Sequence, residues 1–523
     1  MSRKDKKSRR TVERKFAIKN SVGRIIIVAA LLVFQVALLI FGFIFLFTKL
    51  PFMLYVMYGI SFLFVIGINA KDHANDIKLI WVIIILAFPM AGILLYLLFH
   101  YSPAMHVMKK KIRNSDNYML ENLKQDEDVR ADFESSAPHE YSMFKYLKDF
   151  ALYPFYNGTS TKFYDNASGC YEAMIDDMWK AKEYIFIEYH AIENKESFEP
   201  LHNCLAAKAG EGLDVRVIYD DVGSFVFINS EFKRMLESEG IKCCIFNPMS
   251  PMLDVFMNNR DHRKICVVDG KIGYTGGFNI ANEYFNITHP FGEWYDTGVR
   301  LEGPAVKNLT VMFLSMWELY DESMDEKDKL LYEQKIERTD ARGFIVPYGD
   351  SPLDDELTGE NVYINILYNS KDYCWFTTPY LVISENMRRA ISLASKRGVD
   401  VRIITPGIPD KVTVNKLTKS YYSSLIAAGC RIYEFKPGFV HAKMCVSDSR
   451  VAVVGTINLD FRSLYHHFED AVLMFNTDCI NDVKNAFDSL IDRCEEVTEQ
   501  YSVRPNLFIR IGRSILRLVA PML

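Results

Sequence analysis

The sequence predicts an α/β fold of two repeated domains, each a mixed sheet flanked by helices, that face each other as a pseudo-dimer behind N-terminal transmembrane helices. Three observations lead to this prediction: a motif that occurs twice, helix-to-strand alternation before each copy, and long apolar segments near the N-terminus. A chain of 523 residues is also too long for one hydrophobic core, so two or three units are expected.

The duplicated motif is His-x-Lys-x4-Asp. Its first copy is His262, Lys264 and Asp269, and its second copy is His441, Lys443 and Asp448. A glycine and an asparagine follow each copy at the same spacing: Gly276 and Asn279, then Gly455 and Asn458. Self-similarity at a constant offset indicates an internal repeat.

The chain before each motif alternates between helix and strand. Residues 212–218 (GLDVRVI) recur as residues 398–404 (GVDVRII), and each run follows a helical stretch, 201–209 or 386–396. A glycine that ends a helix and opens a β-branched run is typical of an α/β sheet.

Three apolar segments, 25–47, 52–68 and 79–99, approach the roughly 20 residues that a membrane-spanning helix needs. They predict a multi-pass protein of the cell membrane, with two or three crossings. The basic tail should stay in the cytoplasm by the positive-inside rule. Three full crossings would place the body outside, whereas Lys109, Lys110, Lys111 and Arg113 after the last segment favour the inner side. We expect the catalytic body on the cytoplasmic face.

These signals divide the chain into seven parts. They are a basic cytoplasmic tail (1–24), a transmembrane anchor (25–100), a charged tether (101–136), repeat 1 (137–320), an inter-repeat linker (321–342), repeat 2 (343–500) and a basic amphipathic C-terminal helix (501–523). The last helix either lies in the lipid headgroup layer, with its arginines on phosphates, or docks on the body.

Charge and cysteine usage exclude several functions. Of 61 Lys and Arg and 66 Asp and Glu, ten basic and two acidic residues lie in the first 24, which leaves 51 basic and 64 acidic residues in the body. An acidic body disfavours a nucleic-acid partner, which needs a cationic surface. Ten cysteines without a C-x2-C pair indicate reduced core thiols, so we expect neither a metal nor another cofactor.

The motif residues suit attack on a phosphodiester. His262 and Lys264 lie two apart on one strand and share a face, as do His441 and Lys443. If the halves face each other, one imidazole attacks phosphorus and the other moves the proton of the alcohol. The phosphate-binding group would comprise both lysines, Asn279 and Asn458, with Gly276, Gly277 and Gly455 allowing close backbone approach.

The carboxylates of the two halves have different expected roles. Asp269 and Asp448 belong to the motif and so to the candidate catalytic set, but an odd spacing directs them to the opposite strand face, where they would tie the strand end. Asp296 and Glu469 are candidates for orienting the imidazoles through Nδ1. The adjacent pair His466 and His467 is interpreted as pocket rim or surface.

Together these motifs resemble the paired motifs of the phospholipase D superfamily, and within it those of bacterial cardiolipin synthases. Residues 269–279 (DGKIGYTGGFN), 301–305 (LEGPA) and 458–463 (NLDFRS) carry the likeness, which covers about residues 70–523. The resemblance implies that a phosphatidyl group passes from one phosphatidylglycerol to another, giving cardiolipin and glycerol, with His262 as nucleophile and His441 as acid/base. A phospholipase D, a phosphatidylserine synthase and, less favoured, a membrane-anchored nuclease are the alternatives.

Overall fold

The computed structural model describes residues 51–71, 75–100, 103–249, 258–320, 334–354, 356–503 and 506–522, with isolated positions between 30 and 49 and at 328 and 331. The predicted basic tail, most of the first apolar segment and much of the inter-repeat linker lie outside the described residues.

The first domain alternates strands with helices. Its strands are β1 (Ser160–Tyr164), β2 (Tyr184–Tyr189), β3 (Asp214–Asp220), β4 (Lys242–Phe246), β5 (Arg260–Asp261), β6 (Lys264–Val268), β7 (Ile272–Gly276), β8 (Glu293–Tyr295) and β9 (Gly298–Glu302). The helices are α7 (Ala167–Met178), α8 (Glu199–Gly210), α9 (Asp221–Ser224), α10 (Ser230–Ser238), α11 (Val306–Glu318) and a 3₁₀ turn at Asn282–Phe285; helices α1 to α6 precede them and are given below.

The second domain repeats this order. Its strands are β10 (Phe344–Asp350), β11 (Tyr373–Thr377), β12 (Leu381–Val382), β13 (Asp400–Pro406), β14 (Arg431–Phe435), β15 (Gly438–Val440), β16 (Lys443–Ser447), β17 (Val451–Gly455), β18 (Leu459–Asp460), β19 (His467–Phe475) and β20 (Cys494–Glu496). Its helices are α12 (Thr358–Asn369), α13 (Glu385–Lys396), α14 (Val412–Ile426), α15 (Phe461–His466), α16 (Ile480–Ile491) and α17 (Thr498–Ser502).

Both sheets are mixed and have equivalent strand orders. The first runs β1-β9-β7-β6-β2-β3-β4, and the second runs β10-β19-β17-β16-β11-β13-β14-β20. Strand β2 pairs in parallel with β3, and β11 pairs in parallel with β13. Each of them also pairs antiparallel with the strand that follows the motif histidine, β6 or β16. The prediction of two repeated α/β domains is confirmed.

Two short strands join the halves. Strand β5 of the first domain pairs in parallel with the start of β19, and β15 of the second pairs in parallel with β8. Asp261 is opposite Phe468, and Val440 is opposite Tyr295. These pairings are related by a pseudo-two-fold axis, because each strand ends one residue before a motif histidine.

The anchor differs from the prediction of two or three apolar spans. Helix α1 (Phe52–Asn69) is the one helix among the described residues that is long and apolar enough to cross a membrane. The segment 79–99 is instead split into α2 (Asn75–Ala87) and α3 (Pro89–His100). The rings of Trp81 and Tyr96 lie 5.4 Å apart, so α2 and α3 fold back on each other. The prediction of one straight span there is wrong, because each helix has only 12 or 13 residues.

The expected tether is wrong as well. It forms α4 (Pro103–Asn122) and α5 (Glu127–Ser136), followed by α6 (Pro138–Asp149). Phe133 of α5 is fully buried and stacks on Phe344 with ring centroids 3.9 Å apart. The charged residues of α5 form its outer face, while Val129 and Phe133, four residues apart, cover the second sheet.

The C-terminal helix α18 (Leu507–Val519) is amphipathic, as predicted, but its orientation differs from the lipid-bound alternative. Arg517 packs on the ring of Tyr421 in α14, 4.6 Å from its centroid, and Arg513 donates to Ser423. Phe508 is 84% exposed. The arginines therefore contact the body, and an apolar face is left outward.

Candidate active site

The two histidines and two lysines of the duplicated motif lie together where the two halves of the protein join. The backbone N–H of His262 donates to the carbonyl of Phe468, and that of His441 donates to the carbonyl of Tyr295, each at 2.8 Å. Lys264 and Lys443 begin the next strands, β6 and β16, so each lysine lies on the same side as its histidine. All four residues are buried.

Each histidine contacts a carboxylate from the opposite half. Nδ1 of His262 lies 2.8 Å from Oε2 of Glu469, and Nδ1 of His441 lies 2.7 Å from Oδ2 of Asp296. Asp296 and Glu469 are thus the residues that the sequence suggested, and the pairing is crossed between the domains. A carboxylate on Nδ1 holds the proton there and leaves the Nε2 lone pair for chemistry.

Additional donors fix these carboxylates. Ser463 Oγ donates to Oε1 of Glu469 at 2.6 Å, and Thr456 Oγ1 donates to Oε2. The backbone N–H of Thr297 donates to Asp296 at 2.9 Å. Burial alone would raise the pKa of Asp296, but His441 and Lys443 outweigh burial and hold it below its usual value.

The lysines supply positive charge in a dry site. Nζ of Lys264 donates to the carbonyl of His262 at 2.7 Å, and Nζ of Lys443 lies 2.8 Å from Nδ1 of His441. Burial lowers the pKa of both lysines, that of Lys443 to about 7. An anionic ligand would restore the charge of both groups because opposite charge favours the protonated form.

The histidines are neutral when the site holds no ligand. Burial, followed by the charge of Lys264, lowers the pKa of His262 well below its usual value. Burial and the charge of Lys443 lower the pKa of His441 to about 3. A neutral imidazole with a free lone pair is the form that a nucleophile needs.

The glycines after each motif allow close packing of neighbouring strands. A Cβ at Gly276 would overlap the carbonyl of Thr297, and one at Gly455 would overlap the carbonyl of Asp470. A Cβ at Gly277 would overlap the carboxylate of Asp296. Strand packing and one orienting carboxylate thus require glycine at these positions, and the close approach of their backbone to phosphate stays a prediction.

The two asparagines differ in how firmly they are held. Asn279 Nδ2 donates to the hydroxyl of Tyr284 at 2.7 Å, and its Oδ1 accepts from the backbone of Ala191. Oδ1 of Asn458 has no hydrogen-bond partner in the described part of the chain. The unpartnered atom of Asn458 is an acceptor, so this side chain would bind a phosphoryl oxygen through its Nδ2 donors and not through Oδ1.

The motif aspartates lie at the far end of their strands. Asp269 accepts hydrogen bonds from the backbone N–H groups of residues 182–184, and Asp448 accepts from those of residues 371–373. Both have φ near +50°. These hydrogen bonds fix the start of the neighbouring strand, β2 or β11. The contacts of Asp269 and Asp448 therefore do not support a catalytic role for these residues.

Five ring side chains complete the site, and the sequence motifs did not indicate their role. His190 and His467 flank His262 with ring centroids 5.0 and 5.4 Å away. Tyr284, Trp294 and Phe439 surround His441 at 5.3, 5.2 and 5.9 Å. His467 is only 10% exposed in its side chain, so it forms a pocket wall instead of surface. Trp294, Phe439 and His467 lie in the strand pairs between the halves, so that pairing places three of the five rings.

Trp294 and His467 occupy equivalent positions of the repeat. Each lies two residues before its carboxylate, Asp296 or Glu469, and next to an inter-half strand pair. The pseudo-two-fold axis therefore places an indole against one catalytic-motif histidine and an imidazole against the other.

Two α/β repeats that build one paired histidine–lysine site define a protein of the phospholipase D class. Residues 174–317 and 363–491 match the family described as cardiolipin synthase, PLD-like domain, and residues 56–99 match the phospholipase D-nuclease N-terminal family. The chain belongs to the cardiolipin synthase family of this class.

Relatives cover nearly the whole chain. A cardiolipin synthase of Oceanobacillus iheyensis is 32% identical over 91% of this chain and 98% of its own. One of Geobacillus thermodenitrificans is 30% identical over 88% and 91%. An uncharacterized protein of Streptococcus mutans is 38% identical over 85% and 96%.

A solved structure shares the fold. The phosphatidylserine synthase of Haemophilus influenzae superposes with a TM-score of 0.55 at 14% identity, over 73% of this chain and 99% of that one. The likeness therefore extends to both repeats.

Proposed function

We propose that this protein is a cardiolipin synthase that transfers a phosphatidyl group between two phosphatidylglycerol molecules. The crossed contacts of His262 with Glu469 and of His441 with Asp296 carry the proposal. They support one site with two imidazoles of matched tautomer, which is what a two-step phosphoryl transfer needs.

In the first step, Nε2 of His262 attacks phosphorus of the first phosphatidylglycerol. A P–N bond forms and the P–O bond to the headgroup glycerol breaks. The anionic phosphodiester raises the pKa of His441, so that this residue takes up a proton while Asp296 balances its charge. His441 passes that proton to the leaving oxygen, and glycerol departs.

In the second step, the now neutral His441 removes the proton from a headgroup hydroxyl of the second phosphatidylglycerol. The resulting oxygen attacks phosphorus, the P–N bond breaks, and cardiolipin and free His262 are produced. Lys264, Lys443 and Asn458 would hold the equatorial oxygens, where charge builds up.

An assay with purified full-length protein and phosphatidylglycerol as the sole lipid tests this function. We expect a four-chain lipid and an equal amount of glycerol. Phosphatidic acid as the main product would indicate a phospholipase D, and a requirement for serine and an activated phosphatidyl donor would indicate a phosphatidylserine synthase. Cleavage of single-stranded DNA would indicate a nuclease.

Two histidine variants test the order of the steps. His262→Ala should form no product and no adduct. His441→Ala should retain a phosphatidyl group on His262, seen by mass spectrometry of the intact protein, because water and lipid alcohols lack a base. An adduct in His262→Ala, and none in His441→Ala, would reverse the two roles.

We infer that the protein resides in the cell membrane with more than one crossing and with the site on the cytoplasmic face. Helix α1 supports one crossing, and the apolar sequence segment 25–47 would supply another. The basic run from Lys109 to Arg113 and ten free thiols support the cytoplasmic face. We further infer that residues 137–320 and 343–500 are the repeat units.

Thiol labelling in intact cells tests the topology. Nine cysteines are buried and only Cys494 is partly exposed, so Cys494→Ser gives a silent background. Lys110 is exposed, and Lys110→Cys in that background should react with an impermeant maleimide only after the cells are opened. Labelling in intact cells would place the site outside.

A further inference from the structure

A cluster of three potential metal ligands lies on the first-domain side of the site. One ligand atom from each of His262, His467 and Glu469 lies within 4.8 Å of the other two. Nδ1 of His262 is 2.8 Å from Oε2 of Glu469, and Nδ1 of His467 is 3.5 Å from Oε1 of the same carboxylate. The carboxylate thus lies between two imidazoles.

His467 has capacity that the fold does not use. Its side chain is nine-tenths buried, and neither ring nitrogen has a hydrogen-bond partner within the described residues. Leaving a buried polar group without a hydrogen-bond partner is unfavourable, because the group has lost its contact with water. A ligand that engages this ring would offset that cost.

The equivalent position in the other half shows that imidazole is not demanded by packing. Trp294 fills it there, against His441, and an indole cannot bind a metal. The opposite wall of His262 is His190, whose Nδ1 is occupied by the carbonyl of Asp261 at 2.7 Å. Within the described residues, His467 is therefore the neighbour of His262 whose ring nitrogens make no hydrogen bond, and its Nδ1 faces the Glu469 carboxylate.

Two imidazoles and a carboxylate are a ligand set that suits Zn²⁺, with the fourth position left to water or a phosphate oxygen. We propose that His262, His467 and Glu469 bind Zn²⁺, and that the bound ion inhibits the enzyme. The ion would occupy a nitrogen of His262 or draw electron density from it, and it would take Glu469 away from orienting that ring. The inhibition rests on the proposed role of His262, whereas the binding does not.

Binding is measured on chelator-treated, full-length protein in detergent, by titration calorimetry with Zn²⁺ and by the visible absorption of Co²⁺. Wild type should bind one ion per chain, and His467→Ala should bind about 10–100-fold more weakly. His466→Ala is the matched control, since the ring of His466 interacts with the backbone of Pro521; it should bind as wild type does. Equal affinity in wild type and His467→Ala, or no binding at all, would overturn the site.

Inhibition is measured separately by cardiolipin formation with and without Zn²⁺, and it should be reversed by chelator. A stoichiometric site that leaves turnover unchanged would overturn the inhibitory role while the binding result stands. If the protein formed no cardiolipin under any condition, the proposed function would fail and the calorimetry would still decide the metal site.

Discussion

Glu469 of the second domain lies 2.8 Å from Nδ1 of His262 in the first, and the mirrored contact joins Asp296 to His441. Each motif histidine therefore has its carboxylate partner in the opposite half. The inter-half strands β5 and β15 bring the pairs together, because each ends beside its histidine. The site is therefore complete only when the two halves pack against each other.

The crossed contact predicts that Glu469→Gln slows turnover by about 10²–10⁴-fold, a range set by the loss of imidazole orientation and tautomer. Formation of the phosphatidyl adduct, followed by quenched-flow mass spectrometry, should slow to the same degree. Glu499→Gln, an exposed glutamate of α17, is the control. A change of less than twofold in Glu469→Gln would show that the contact is dispensable.

The low pKa of Lys443 predicts a basic limb in the pH profile. Burial lowers this pKa to about 7, so the ammonium is charged below that value and neutral above it. kcat/KM should therefore fall as pH rises through about 7, by about tenfold per pH unit at the limit. The limb of kcat should lie at higher pH, because bound phosphodiester raises the pKa.

Lys443→Arg separates this lysine from other titrating groups. Arginine stays charged throughout the range. Its kcat/KM should be lower than that of wild type but should show no fall between about pH 7 and pH 9. An unchanged limb in Lys443→Arg would assign the titration to another residue.

The aromatic side chains around His441 predict an effect on the ratio of phosphatidyl transfer to hydrolysis. Trp294 packs 4.8 Å from Phe439 and 5.2 Å from His441 between ring centroids. Under the proposed mechanism, this wall would keep water from the base that activates the acceptor alcohol. Trp294→Ala should raise the ratio of phosphatidic acid to cardiolipin by about tenfold, equivalent to about 1.4 kcal/mol. Trp294→Phe retains an apolar ring and should stay near the wild-type ratio. Equal ratios in all three proteins would exclude this role.

The burial of Phe133 predicts that α5, which the sequence suggested was part of a tether, contributes to the stability of the folded protein. Phe133→Ala removes a fully buried ring that stacks on Phe344 and should cost about 3–5 kcal/mol. Phe150→Ala, at a position 66% exposed, should have little effect. Thermal unfolding of both variants in detergent checks the difference, and similar melting temperatures would show that α5 is not integral to the core.

The sequence predicted the motif residues of the site better than it predicted how neighbouring residues contact them. The repeated motif identified the residues that meet, and strand periodicity separated Asp269 and Asp448 from them. Which carboxylate serves which histidine was not predictable, because that depends on parallel pairing between short strands of different halves. The same pairing decides between the two alternatives for His467, pocket rim or surface, and places its ring beside His262.

The membrane end shows a different limit. Pro89 in the middle of segment 79–99 was a visible break signal, but membrane helices tolerate proline, so composition alone favoured a single span. In α5, the charged residues dominate the composition, although Val129 and Phe133 among them are buried. The partner of Phe133 is Phe344 of the second domain, so the local sequence of α5 could not indicate this contact.

The paired positions Trp294 and His467 have a consequence for the architecture. A dimer of two identical chains would carry the same side chain at both places, and any change there would alter both catalytic histidines together. Joining the copies in one polypeptide removes this constraint. Donor handling and acceptor handling can then evolve separately, one substitution at a time, within a pocket that still closes around a single phosphorus atom.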